Sequence, residues 1–286
     1  MAPPRFEQKT RLAGRVWRRL RASDVAGQAA KMSFYLLLAL FPLLLSLVSM
    51  VGLLLQSETL PQDVLGRYLS GVLPASASAL VDRTLVEISG RSASVTLPFA
   101  LVFLWWSALK AMRAVMDGLN AAHRVRESRP WWKQVGVASA LTVALLLLLS
   151  LGLAVLVLGR RWQDSLAGND ELAWLAGLWP VARWLVALAI VLLAFNLAYR
   201  YAPDVDSRRW QWLTPGTLLG LGLWLVASLG FQLYVQHFRR YSATYGSIGA
   251  VITLLLWLYL SAIAFLSGAE INAEVAESER AGSGAP

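Results

Sequence analysis

The sequence predicts an all-α, polytopic membrane protein. It should have six transmembrane helices, an N-terminal interfacial helix and short amphipathic helices in the first outer loop. Three observations predict this. Hydrophobic residues make up 57% of the chain, with a mean hydropathy of +0.54. Six long apolar stretches alternate with short charged ones. If the N-terminus is cytosolic, 18 of the 26 Lys and Arg fall in inside segments and 8 in outside ones. That bias orients both termini toward the cytosol.

Each span can be justified in turn. A hydrocarbon core about 30 Å thick needs roughly 20 apolar residues of helix. Ser33–Leu55, Val135–Leu158, Trp212–Val235 and Ile248–Ala269 meet this with no internal charge. Val95–Leu109 and Trp184–Tyr199 are shorter, and reach spanning length by including Lys110 with Arg113, and Arg183. Long basic side chains near a helix end snorkel to the headgroups. Residues 1–32 form a basic leader in which Leu12, Val16, Trp17 and Leu20 recur at helical spacing among arginines, as in a helix lying on an anionic leaflet. The membrane domain covers 33–272, and 273–286 read as an acidic, disordered cytosolic tail.

Punctuation lies at several points. Pro42 falls within the first span and predicts a kink. Leu60–Leu73 and Ser76–Ser89 show three- and four-residue apolar spacing on either side of Pro74, predicting two helices over the outer mouth. Trp106, Lys110, Arg113, Asp117 and Asn120 share one helix face. His123–Lys133 is a basic inside loop with Trp131 and Trp132 as interface anchors, and Arg160–Pro180 is an outside loop. Tyr201–Asp206 is an inside turn. Pro215 and Gly216 open the fifth span, where Gly216 and Gly220 offer a small-residue face for close helix approach. Tyr241–Gly249 reads as a turn.

Several segments together resemble the YihY/BrkB family of bacterial inner-membrane proteins. They are Ala29-Ala-Lys-Met-Ser-Phe-Tyr-Leu-Leu-Leu-Ala-Leu-Phe-Pro42, Ala202-Pro203-Asp204-Val205 followed by Thr214-Pro215-Gly216, and Tyr241-x-x-x-Tyr245-Gly246-Ser-x-Gly249. Leu256-Trp-Leu-Tyr259 and Gly268-Ala-Glu270-x-Asn272 complete the set. Lys31-Met32 departs from the pattern, which usually continues there with small residues. The resemblance implies a six-span helical fold in the cytoplasmic membrane. It does not imply one activity, since members carry labels of ribonuclease BN, of virulence or serum-resistance factor, and of transporter or exporter of envelope lipids.

Composition narrows the chemistry. With no cysteine there is no disulfide, thiolate metal site or cysteine nucleophile. The net charge of +9 is accounted for by orientation in the membrane, so nucleic acid is not an expected partner. RNA hydrolysis needs a metal cluster or a positioned acid–base pair. The two histidines, His123 and His237, fall on opposite sides of the predicted membrane, and Asp204 with Asp206 reads as an isolated pair in a turn. No catalytic residue, metal site or cofactor is expected, and no P-loop powers transport.

Polar groups inside a bilayer are costly and suggest function. Lys110, Arg113 and Glu270 fall at one predicted depth. They read either as an ion pair locking helix two to helix six or as a site for a phosphate or anionic headgroup. Asn196, Gln232 and Asn272 read as interhelical hydrogen-bonders or substrate contacts, and Gly246, Gly249 and Gly268 as packing positions. The leading expectation is transport or flipping of an anionic amphiphile among membrane lipids. The alternative is a non-catalytic envelope scaffold.

Overall fold

The computed structural model describes residues 24–55, 93–167, 173–205 and 214–282, and every regular element among them is a helix. α1 is Val25–Leu55, α2 Ala93–Ala122, α3 Trp131–Ala167, α4 Ala173–Tyr201 and α5 Pro215–Gly282. The basic N-terminal helix and the pair at 60–89 lie outside the described residues.

Four helical segments are long and apolar enough to cross a membrane: Trp131–Gly152, Leu178–Tyr201, Pro215–Val235 and Val251–Ser278. At most 28% of any of them is buried within the protein. Leu147, Leu151, Leu178, Val181, Leu185 and Val226 are all exposed. In water such a surface would drive association. In lipid it is the expected exterior, and the interior can then hold small and polar residues.

Two compact units can be distinguished. One comprises the start of α1 through Ala29, Val115–Ala227 and the chain from Leu260 onward. Its interior is Ala198, Ala202, Ala262, Ala264, Ala269 and Ala273 with the polar Asn120, Thr217, Glu270 and Glu274. α3 and α4 pack along each other, with Gly152 facing Ile190. Helix hydroxyls turn back on their own backbone: Thr142 Oγ1 donates to Ala138 O at 2.7 Å. The other unit comprises Ala30–Ala114 and Ser228–Tyr259, with Met32, Ser33, Ser107, Ala111 and Met112 buried. Pro42 lies inside α1, and the backbone stays helical on both sides of it.

α5 corrects two expectations. The backbone is helical through 241–249, where the sequence suggests a turn. The run reverses all the same. Trp224 Nε1 donates to Ser261 Oγ at 3.2 Å, and Gly216 meets Asn272, 56 residues on. A straight helix would hold that last pair about 84 Å apart at 1.5 Å per residue. Helix persists because each peptide group there satisfies its neighbours internally, which a membrane environment demands. The second correction concerns the tail. α5 continues to Gly282, so 273–282 are helical rather than disordered, with Ala273 and Glu274 buried against the unit. The loop expected at Arg160–Pro180 is also shorter, because α3 runs to Ala167 and α4 begins at Ala173.

Candidate functional site

One end of the first unit gathers the close of α2, the start of α3, the close of α4 and both ends of α5. Local signals put each there. α2 ends in a paired-bond cap, with Arg124 N–H to Ala121 O and Val125 N–H to Asn120 O, both at 3.0 Å. Arg124 takes the left-handed conformation this cap needs, at φ 55°. Pro130 O accepts the Lys133 and Gln134 N–H groups in the first turn of α3, and Gln134 Nε2 donates to Arg129 O at 2.8 Å. Thr214 caps α5, its Oγ1 accepting Thr217 N–H at 3.3 Å, and Pro215 occupies the first helical position, where no N–H is needed.

Asp204 is the hub of the surface side of this end. Its Oδ2 accepts Ser128 N–H at 2.7 Å and Ser128 Oγ–H at 2.5 Å, and its Oδ1 accepts Arg129 Nε–H at 3.1 Å. Its own N–H donates to Asn120 Oδ1 at 2.7 Å, and Asn120 Nδ2 donates to Glu127 Oε2 at 2.9 Å. Arg129 closes the ring, pairing with Glu127 Oε1 at 3.1 Å and donating from Nη2 to Ala202 O at 2.9 Å. Asp204 is therefore no isolated turn residue. The Ser128 hydroxyl and N–H, with smaller help from Arg129, hold its carboxyl below the usual carboxylate range. Buried Pro203 fixes the turn beside it.

Deeper in the unit, the two halves of α5 meet almost backbone to backbone, with side chains of α4 against them. Gly216 N–H donates to Asn272 Oδ1 at 2.8 Å, a group that an ordinary helix start leaves without an intrahelical partner. A Cβ on Gly216 would collide with Gly268 O, and one on Gly268 would lie 2.5 Å from Gly216 O and 2.9 Å from the Gly220 Cα. Tyr199 fills the remaining gap, its hydroxyl donating to Phe265 O at 2.6 Å while its ring stacks among Phe195 and Phe265. Thr217 Oγ1–H donates to Asn196 Oδ1 at 2.9 Å.

Between these layers lies a cavity of about 120 Å³ lined by His123, Val125, Tyr199, Arg200, Pro203, Val205, Ala273, Ala276 and Glu277. His123 Nδ1 is 2.9 Å from Leu119 O, so that nitrogen carries the hydrogen.

The structure thus brings together Asn196, Asp204, Pro203, Pro215, Gly216, Gly268 and Asn272. Glu270 is nearby in sequence and 1% exposed. Lys110 and Arg113 belong to the other unit. Lys110 Nζ lies 5.8 Å from the Trp106 ring, and Arg113 Nε is buried with no hydrogen-bond partner among the described residues. Gln232, expected to bond between helices, is exposed, as its neighbours Leu233 and Tyr234 are. Gly246 and Gly249 lie in the helical backbone of α5, and the Tyr245 side chain is outside the described set. Sequence reasoning missed Glu127, Ser128, Arg129, Arg200 and Glu277. One signal was available: Glu127 is the single acid in the basic segment His123–Lys133. Among the described residues no three His, Asp or Glu gather as metal ligands do.

Comparison with known proteins adds three findings. A family model described as Virulence factor BrkB matches residues 16–286. "Putative ribonuclease-like protein YfkH" of Bacillus subtilis is 32% identical over 86% of this chain and 88% of its own. "UPF0761 membrane protein" of Tolumonas auensis is 28% identical over 91% and 84%, and the protein of that name from Laribacter hongkongensis 27% over 96% and 63%. No solved structure matches.

Proposed function

Since the chain belongs to the BrkB family of membrane proteins, we propose that it crosses a bacterial cytoplasmic membrane six times, with both termini cytosolic, and moves an anionic amphiphile between leaflets. α1 and α2 supply one span each, α3 and α4 one each, and α5 two. The charge asymmetry of the loops supports the orientation. The observation that carries the transport reading is the polar interior of a lipid-facing unit. Asn120, Thr217, Glu270 and Glu274 are buried behind apolar outer faces, at the end where Arg200 and His123 line a cavity. Such groups are expensive in a membrane and are kept where they act.

A scaffold is the second reading. The glycine contact between the two halves of α5, closed by the Tyr199 hydroxyl of α4, favours it, because that part of the unit leaves no path for a chain. Ribonuclease activity, which the name of one relative suggests, is the third reading, and among the described residues no three His, Asp or Glu gather to hold a catalytic metal.

The test is reconstitution into liposomes with a fluorescent phosphatidylglycerol. The expected result is protein-dependent exchange between leaflets, seen as full quenching by an added membrane-impermeant reductant. Quenching that stops at the outer leaflet, as in empty vesicles, favours the scaffold.

A further inference from the structure

We infer that Arg183, near the first end of α4, holds the phosphate group of a membrane phospholipid, in the half of the bilayer away from the Asp204 network. The proposed six-span topology supplies only the name of that half, the outer leaflet, and the transport reading supplies nothing. Burial is the first argument. Arg183 lies within Leu178–Tyr201, one of the segments able to cross a membrane. Its Nε and Nη1 are closed off from the surface, and neither has a hydrogen-bond partner among the described residues. A guanidinium is permanently charged, and a cation inside a bilayer is kept where an anion or polar group compensates it. Nη2 is not enclosed, and the residue as a whole is half-buried. An anion at Nη2 therefore compensates the charge without entering the protein.

Depth is the second. From Leu178 to Arg183 is about 7.5 Å at 1.5 Å per residue, a distance that a snorkelling arginine covers to reach the headgroups. From Arg183 to Tyr201 is about 27 Å, so only the phosphate layer beyond Leu178 is within reach.

The surroundings are the third. α3 ends at Ala167 and α4 begins at Ala173, so the two pack antiparallel, with Gly152 against Ile190. Arg183 lies seven residues from Ile190, which puts it level with the α3 backbone at Gly159-Arg160-Arg161. α4 contains no acid, and the first in α3 is Asp164. Two helices thus bring basic positions to one level. Val181, Trp184 and Leu185, beside Arg183 on α4, are all exposed. A cation bordered by open apolar side chains matches a phosphate that carries acyl chains better than a soluble anion.

The test follows the unfolding midpoint of the full-length protein, stripped of lipid in an uncharged maltoside detergent, against rising probe concentration. The probes are dihexanoyl phosphatidylglycerol, dihexanoylglycerol and inorganic phosphate. The phospholipid should raise the midpoint, with phosphate at least tenfold weaker and the phosphate-free dihexanoylglycerol without effect. Arg183→Gln should weaken phospholipid binding by tenfold or more and Arg183→Lys by less. Lys133→Gln, which removes a cation at the other end of α3, should change nothing. Arg183→Met supplies a second readout: without lipid its midpoint should equal or exceed the parent's, because a charge without a partner has been removed. A fall in that midpoint, matched by Asp164→Asn, Asp170→Asn or Glu171→Gln, means a pair within the chain and overturns the inference. Phospholipid binding that is absent, or untouched by Arg183→Gln, overturns it too. Phosphate binding as tightly as phospholipid overturns the lipid assignment. Binding that depends on Arg183 in a protein that exchanges no lipid between leaflets removes the transport reading and leaves this site standing.

Discussion

At the scale of single residues, the end of the first unit depends on a few groups with no substitute. Asp204 is one. Its folded carboxyl sits below the ordinary range because Ser128 and Arg129 favour the charged form. The stabilisation is therefore fully present above about pH 4, the unfolded value of an aspartate. It is lost as pH falls through the lower folded value. Asp204→Asn should lower the unfolding midpoint at pH 7, and the gap from the parent should close below about pH 4. A gap that persists unchanged at pH 3 would show that the charge is irrelevant. Gly216 is another such residue. A methyl there meets the carbonyl oxygen of Gly268, which is backbone and cannot rotate away. Gly216→Ala should cost about 1–3 kcal/mol, the usual range for overpacking. Gly222, with open space where its Cβ would go, provides the control. Gly222→Ala should leave the midpoint unchanged or slightly raised, as alanine favours helix. Equal effects of the two in detergent unfolding would contradict the contact.

At the scale of elements, boundaries were legible wherever a residue type forces a local geometry. Thr214-Pro215-Gly216 announces a helix start, and Ala202-Pro203-Asp204 an end. The four uncharged runs announce apolar helices by length alone. What the sequence hid was partnership. Ser128 and Asp204 are 76 residues apart, and nothing in either segment names the other. The reversal within α5 was expected, but the helical backbone through it was hidden. Glycines and tyrosines at 241–249 look like a loop by water-based propensities, which lose force where the backbone must satisfy itself. The end of α2 offers an element-level test. Arg124 pays a left-handed cost of about 1–2 kcal/mol that glycine avoids. Arg124→Gly should stabilise by about 1 kcal/mol, read as a raised midpoint. A fall would mean that the arginine side chain contributes more than its backbone costs.

At the scale of the whole molecule, the composition already separated a membrane protein from a soluble one, and the exposed leucines and valines of α3, α4 and α5 agree. Orientation remains a prediction of charge. Reporter fusions at Ala77 and at the C-terminus should read periplasm and cytosol respectively. A periplasmic C-terminus would break the six-span proposal. The contacts around Gly216 also have an order in time. Ser128 has no Asp204 to bind until 76 more residues are made, and Gly216 waits a further 56 for Asn272. Until the last stretch of α5 leaves the ribosome, the Gly216 and Gly220 face has no such packing, and the insertion machinery must shelter it. Stalled nascent chains that end before Asp204 should therefore stay open to protease in the 123–130 loop. Chains extended beyond Asp204 by the length of the exit tunnel should become resistant there, while the Gly216 contact still waits for Asn272, so this end of the fold is born in two steps.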